Sequence, residues 1–281
     1  PANVIVDVVV LPAGALAVAA GLAFRDERSS YEPDELARSG QTRFGAVSRR
    51  GSYDTAELYV ETVVPLLGGL LDTPGIHTLE FEGAYRLVDN SIAGTDPTWT
   101  AGLRYRPIES VELRGNVTKS IRAPSILELF RPEATVSQRA ADPCDARFID
   151  RGNVPERRAA NCAAAGIVQP FQSFVAGPGQ LGTTSGNVDL LNETADAYTY
   201  GVVFRPSFAR GLIISVDYLD YTIDDAISFL SLEEIMIACY ESAAFPNEPL
   251  CDRFARDAAG QVTDFQAGYE NLDSIEVSNI Q

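Results

Sequence analysis

The sequence has 281 residues, of which 39 are acidic and 22 are basic, so its formal net charge is −17. An acidic surface argues against a nucleic-acid partner, because contacts to phosphate need a basic surface. The single histidine, His77, excludes a multi-histidine metal site and leaves a catalytic triad only one possible base.

Alternation of apolar and polar side chains with a period of two recurs along the chain and predicts β-strands. A clear case is the segment 77–89, in which Phe81 and Tyr85 lie on one face and Glu80 and Glu82 on the other. The same pattern predicts about nine strands, at residues 4–10, 14–27, 53–66, 75–88, 97–106, 109–122, 194–206, 211–225 and 274–281.

The connections between these strands alternate between short and long. Short turns are predicted at 11–13, 67–74, 107–108 and 207–210, and longer joins at 28–52, 89–96, 123–193 and 226–273. One end of the sheet would carry tight turns and the other long loops, as in transmembrane β-barrels. Most segments run about 10–14 residues, enough for a tilted strand to cross a bilayer, whereas soluble strands typically have about 5–6. We therefore predict an all-β antiparallel transmembrane barrel; the alternative is a soluble antiparallel sheet with one face in a core.

If the apolar faces contact lipid, the opposite faces line the lumen of the barrel. The charged side chains on those faces are Glu80, Glu82, Arg86, Arg104, Arg106, Glu112, Arg114, Arg122 and Asp217. Some of them would contact a ligand or a domain inside the lumen; the alternative is a face whose opposite charges neutralise each other across strands. Arg122 is the first candidate for a contact, because it lies at the start of a long loop and its guanidinium can bind a carboxylate through two hydrogen bonds.

The four cysteines all lie in the two longest loops, Cys144 and Cys162 in the first and Cys239 and Cys251 in the second. Bridges within each loop have the lowest entropy cost of the three possible pairings, so we predict Cys144–Cys162 and Cys239–Cys251. Such bridges imply an oxidising compartment. The alternatives are a four-thiolate zinc site, which no CxxC pair supports, and reduced cysteines.

The second cysteine loop is also predicted to contain a short helix at 231–240, with Ser231 as its N-cap. Residues 226–281 hold ten acidic and two basic side chains. This charge would attract cations, although a solvated surface is the favoured interpretation.

An enzymatic function has little support in the sequence. Glu80 and Glu82 resemble the paired carboxylates of a glycosidase, but carboxylates on one face are common in polar sheets. His77 lies beside the turn residues Pro74 and Gly75, and the sequence has neither a phosphate-binding loop nor a dinucleotide fingerprint. We predict no catalytic residue, no metal and no cofactor.

Three segments resemble the barrel of TonB-dependent outer-membrane receptors. Ser120–Phe130 (SIRAPSILELF) is similar to the strand-to-loop signature of that family, and Asn192–Pro206 and Gly211–Ile227 are similar to the two strands that follow it. The cysteine-bearing stretches ADPCD, AANCAAAGI and CY resemble the family's loops. The resemblance implies a barrel of 22 strands that surrounds a plug domain, with an N-terminal segment that contacts TonB. The sequence shows neither the plug nor that segment, so we expect residues 1–281 to form part of the barrel of a longer receptor.

The resemblance also implies a function. A receptor of this kind binds a scarce solute, such as a siderophore, a vitamin or an oligosaccharide, and imports it with energy delivered through TonB. The expected partners are outer-membrane lipid, the plug domain, the TonB complex and a small-molecule ligand. Two alternatives remain: a secreted acidic all-β protein that binds a ligand or glycan, and a passive porin.

Overall fold

The computed structural model describes residues 1–280, apart from the side chains at 69–73, 277–278 and 280. The described strands are β1 (Ala2–Leu11), β2 (Gly14–Tyr31), β3 (Arg49–Thr73), β4 (Ile76–Asn90), β5 (Gly94–Ile108), β6 (Val111–Arg122), β7 (Ala134–Gln138), β8 (Gln180–Ser185), β9 (Glu193–Phe204), β10 (Ile214–Leu230), β11 (Phe254–Arg256) and β12 (Val262–Ile280). The α-helices are α1 (Glu35–Arg38), α2 (Ile126–Phe130), α3 (Pro155–Ala164) and α4 (Leu232–Glu241), and 3₁₀ turns lie at Ile149–Arg151, Phe174–Ala176 and Pro249–Arg253. No helix among these residues is both long and apolar enough to cross a membrane.

The strands form one sheet in the order β1-β2-β3-β4-β5-β6-β9-β10-β12-β8-β7, and β11 pairs with β12. The nine long strands pair antiparallel with their neighbours, which confirms the predicted all-β antiparallel sheet and its nine principal strands. The short strand β8 instead runs parallel to β12, where Thr183–Ser185 pairs with Gln266–Gly268. The three short strands lie within the predicted loops and were not expected.

Several predicted boundaries are wrong. The join at 89–96 is a turn of three residues, 91–93, because the Asn90 side chain accepts hydrogen bonds from the backbone N–H groups of Ile92 and Ala93, both at 3.0 Å. The turn at 67–74 is also shorter, since β3 continues to Thr73. Short and long joins therefore do not alternate strictly, although three long loops remain, at 32–48, 123–192 and 231–261.

The last predicted strand, 274–281, belongs to a much longer one. β12 begins at Val262, and it pairs with β10 from Gly268 to Ile280. The final residue, Gln281, lies outside the described residues.

The strand register separates a polar face from an apolar face. Across neighbouring strands Glu80 lies opposite Arg104, Arg104 opposite Arg114, Arg114 opposite Gly201, and Gly201 opposite Asp217. The other face carries large apolar side chains that are exposed to solvent in the isolated chain, among them Phe24, Leu58, Tyr85, Leu103, Tyr200 and Val216. Within the described residues no second layer covers this apolar face, so the interior of a soluble sheet protein is not formed there.

The apolar cores lie at the loop end of the sheet. The larger cluster joins both cysteine loops through Phe171, Val175, Leu232, Met236 and Phe265. The smaller one surrounds Leu129 of α2. The predicted helix is confirmed as α4, with Ser231 as its N-cap in a capping box with Glu234. Both predicted disulfides, Cys144–Cys162 and Cys239–Cys251, are also confirmed.

Candidate functional site

All nine predicted charged residues lie on the polar face, and eight of them make ion pairs. The nitrogen–oxygen distances are 3.0 Å for Arg86–Glu57, 2.6 Å for Arg104–Glu82, 2.8 Å for Arg106–Glu112, 3.3 Å for Arg205–Glu112, 2.7 Å for Arg114–Asp217 and 3.0 Å for Arg122–Glu128. Arg122 also pairs with Glu193. Glu80 faces Arg104 across β4 and β5 but makes no ion pair with any residue that the structure describes.

Most of these pairs connect strands of the sheet, and they add little to its stability. The guanidinium groups are roughly half exposed, and exposed ion pairs contribute typically 0.2–1 kcal/mol each. Arg114 reaches Asp217 across β9 because Gly201, which lies between them, has no side chain to block the contact. Most of the polar face is therefore neutralised by its own residues.

A cavity of about 570 Å³ lies on the polar face over β2 to β6. Arg25, Glu57, Tyr59, Glu61, Arg86 and Arg122 contribute to its lining. Of the predicted candidates, only Arg86 and Arg122 line this cavity.

The remaining candidates lie elsewhere on the polar face. Glu82, Arg104, Arg114 and Asp217 line a smaller depression of about 140 Å³. Glu80, Arg106 and Glu112 lie in neither space, towards the tight-turn end of the sheet.

The polar face of β3 is the part of the site that the sequence analysis missed. Tyr53, Glu57, Tyr59 and Glu61 lie at alternating positions on that face and line the cavity. The Arg86 guanidinium lies 4.8 Å from the centre of the Tyr59 ring, in a cation–π contact. The signal was present in the sequence, since these residues alternate with apolar ones such as Leu58 and Val60, but only the strand itself was inferred from it.

The segment that follows β6 crosses the polar face at the loop end of the cavity. We call residues 123–131 the crossing segment; it contains α2, which begins after the capping box of Ser125 and Glu128. Leu129 is fully buried in a cluster with Tyr53 and Leu190. Further apolar side chains packed against this cluster are Ile92, Ile126, Phe130, Ile227 and Tyr269.

These contacts show that the sheet curves around its polar face. In a flat sheet β3 and β12, six strands apart, would be about 29 Å from each other, given a strand spacing near 4.8 Å. Yet Tyr53 of β3 and Tyr269 of β12 belong to one apolar cluster around Leu129. The polar face is therefore the concave one and the apolar face the convex one.

The two cysteine loops pack into a single body, which we call the loop cap (residues 138–177 and 231–261). Each half contains one disulfide, and both contribute to the shared apolar core. The Asn161 side chain of α3 donates hydrogen bonds of 2.9 Å to the carbonyl oxygens of Tyr240 and Ser242, at the end of α4. β8 and β12, which follow the two halves of the cap in the chain, pair with each other at the edge of the sheet. Among residues 1–280 no group of three or more His, Cys, Asp or Glu side chains is arranged to hold a metal ion.

Comparison with known proteins agrees with this geometry. A family model described as "TonB dependent receptor-like, beta-barrel" matches residues 8–270. No curated protein sequence matches the chain.

Solved structures match the chain at low sequence identity. A mutant ferric enterobactin receptor, PfeA from Pseudomonas aeruginosa, in complex with enterobactin, has a TM-score of 0.57 at 14% identity over 99% of this chain and 32% of its own. The siderophore receptor PirA from Acinetobacter baumannii gives 0.55 at 14% identity, over 99% and 32%. The hemophore receptor HasR from Serratia marcescens, in complex with its hemophore HasA and heme, gives 0.53 at 13% identity, over 99% and 37%. The chain thus spans about a third of the length of these receptors and shares their fold.

Proposed function

The chain belongs to the family of TonB-dependent receptor β-barrels, and from this membership we propose that it forms part of an outer-membrane receptor that imports a scarce solute with energy delivered through TonB. Residues 1–281 would form part of the barrel wall, with the loops 32–48, 123–192 and 231–261 outside the cell. The partners would be outer-membrane lipid, a plug domain and TonB, the last two through parts of a longer protein.

One observation carries the proposal: a curved sheet of nine long strands has an uncovered apolar convex face and an ion-paired polar concave face. Lipid can cover the convex face at no cost in desolvation, whereas a soluble protein would expose it to water. Side chains of the concave face would line the lumen, where charges of opposite sign remain hydrated and paired. This arrangement disfavours the secreted glycan-binding alternative.

Within this function we propose an iron chelate as the ligand class. The structural neighbours include receptors whose names specify enterobactin, siderophores and heme. The cavity on the polar face is lined by Tyr53 and Tyr59, whose rings suit an aromatic ligand, and by guanidinium groups that an anionic ligand could take over from their glutamate partners.

The test is uptake by cells that produce the full-length protein from which this chain comes. We would measure accumulation of radioactive iron supplied as ferric enterobactin and as heme, with and without a protonophore and in a strain that lacks TonB. Uptake that needs the receptor gene, TonB and the proton gradient would support active import. Uptake that needs the gene but neither TonB nor the gradient would indicate a passive porin, and absence of uptake of both compounds would contradict the iron-chelate assignment.

A further inference from the structure

The C-terminal part of the crossing segment contacts strands on two sides of the concave face. Phe130 lies directly over Gly51 of β3, where even a Cβ atom would overlap the ring. Arg131 lies over the rings of Phe229 and Tyr269, at 5.7 and 5.8 Å from their centres. The backbone carbonyls of Glu128 and Arg131 accept hydrogen bonds from the residues after β8, at 2.9 and 3.0 Å. The segment therefore reaches from β3 to β12 across the concave face.

Arg122 stands where this segment leaves the sheet, and it contacts both the cavity and the segment. Its guanidinium donates to Glu128 of α2 and to Glu193 of β9, and its side chain also lines the cavity. The two carboxylates are only 15% exposed, whereas the Arg122 side chain is 45% exposed. The cation is thus the accessible member of the triad.

The two carboxylates are held in place independently of Arg122. Glu128 accepts a hydrogen bond of 2.7 Å from the backbone N–H of Ser125, and Glu193 accepts one of 2.6 Å from the backbone N–H of Ile227. Without the guanidinium, the poorly hydrated carboxylates of Glu128 in α2 and Glu193 in β9 would have no shared cation between them, and they would repel each other. Arg122 therefore decides whether the electrostatic interaction between the crossing segment and the sheet is attractive or repulsive.

We propose that the crossing segment closes the loop side of the polar cavity, and that Arg122 is the positioning residue that keeps it closed. In the proposed receptor, the crossing segment would be a closing element inside the lumen, and this role rests on the proposed import function. The buried apolar contacts of Leu129 locate the segment, whereas the half-exposed ion pairs of Arg122 can be exchanged by water or by an anionic group in the cavity. A solute reaching the cavity from the loops would have to displace Glu128 from Arg122.

The experiment measures access to the cavity directly. Ser120→Cys places a thiol on the cavity lining, and all four native cysteines of this chain are in disulfides. In the full-length receptor in its own outer membrane, cleared of any other free thiol, we would measure the rate at which a membrane-impermeant maleimide labels this cysteine from outside. Ala258→Cys, in an exposed loop, gives the rate for an unobstructed thiol.

We expect slow labelling at position 120 and an increase of about tenfold or more when Arg122→Gln or Glu128→Gln is added, because each substitution removes the ion pair between β6 and the crossing segment. Arg114→Gln is the matched control, because Arg114 lies on the same face of β6 but pairs with Asp217, away from the crossing segment. Intact disulfides on non-reducing gels and normal surface levels would show that each variant folds.

Two results would overturn the proposal. Labelling of position 120 as fast as that of position 258 in the otherwise unchanged receptor would mean that the cavity is open. Equal rates for Arg122→Gln and Arg114→Gln would mean that Arg122 does not hold the segment. Neither measurement depends on uptake, so the proposed import function would stand or fall separately.

Discussion

Replacement of Arg256 by Met is expected to loosen the loop cap. The Asp142 carboxylate is fully buried, and the Arg256 guanidinium donates to both of its oxygens at 2.8 Å. The same guanidinium donates to the Tyr240 hydroxyl at 2.9 Å and to the Gly260 carbonyl at 2.7 Å. It therefore links α4 to the 141–145 turn and to the 257–261 turn.

The free-energy cost of Arg256→Met follows from the burial of Asp142. Removal of one member of a buried ion pair leaves an uncompensated charge and costs about 3–5 kcal/mol. We take the lower figure, because the Arg256 side chain keeps 10% of its exposure and water can reach the site. About 3 kcal/mol corresponds to a change of about 10²-fold in the equilibrium for local opening.

Hydrogen exchange of the backbone amides in α4 measures this opening. In the oxidised receptor in detergent micelles, Arg256→Met should speed exchange in Leu232–Glu241 by about two orders of magnitude. Addition of Asp142→Leu should recover part of the loss, since an apolar pair can replace a buried ion pair. Arg253→Met is the control, because the Arg253–Glu270 pair is more exposed and should contribute less than about 1 kcal/mol to the stability of the cap. An increase of less than about threefold in the Arg256 variant would refute the reasoning.

Three further outcomes are expected. Reduction of both disulfides, which close loops of 18 and 12 residues, should destabilise the cap by about 3 kcal/mol each, measured by its hydrogen exchange with and without reductant. The Arg147 guanidinium lowers the pKa of Asp145 to about 2, so the ionised carboxylate stabilises the folded cap. This stabilisation should be complete above about pH 4, and up to about 2 kcal/mol of it should be lost as the pH falls towards 2. Asp145→Asn should abolish this pH dependence in the same exchange measurement. On the convex face, Leu103→Arg should cost about 2–4 kcal/mol in unfolding titrations in lipid vesicles, whereas Thr98→Arg on the concave face should be tolerated; equal effects would contradict the assignment of the faces.

The sequence predicts the long strands well because each has one polar and one apolar face. Apolar and polar side chains alternate throughout β4, β5 and β6, because the two faces of each strand have different surroundings along its whole length. The disulfides were predictable for a related reason, since each closes a short loop and depends on nothing distant in the chain.

Elements that form through distant contacts were not predictable. β12 was placed at 274 because residues 262–273 lose their alternation, and they do so because the loop cap buries Val262, Phe265 and Ala267. β7 and β8 have only 5 and 6 residues, and their formation depends on the pairing of β8 with the edge of β12. The alternation in β3 marks its polar face, but the sequence does not show that residues of this face share a cavity with Arg86 and Arg122, because that depends on how the strands pair and curve.

The ion pairs explain why charge alone identifies the concave face but does not distinguish among its residues. Arg86, Arg104 and Arg106 each pair with a carboxylate on an adjacent strand, and Arg114 pairs with one two strands away. Such pairs connect parts of the wall that hydrogen bonding already fixes, so their loss would leave the backbone in place. Arg122 differs because one of its two partners belongs to the crossing segment, which is held to the sheet by side chains more than by strand pairing. A charge that connects the sheet to a separate segment can release that segment when its partner is exchanged, and among the predicted candidates this property singles out Arg122.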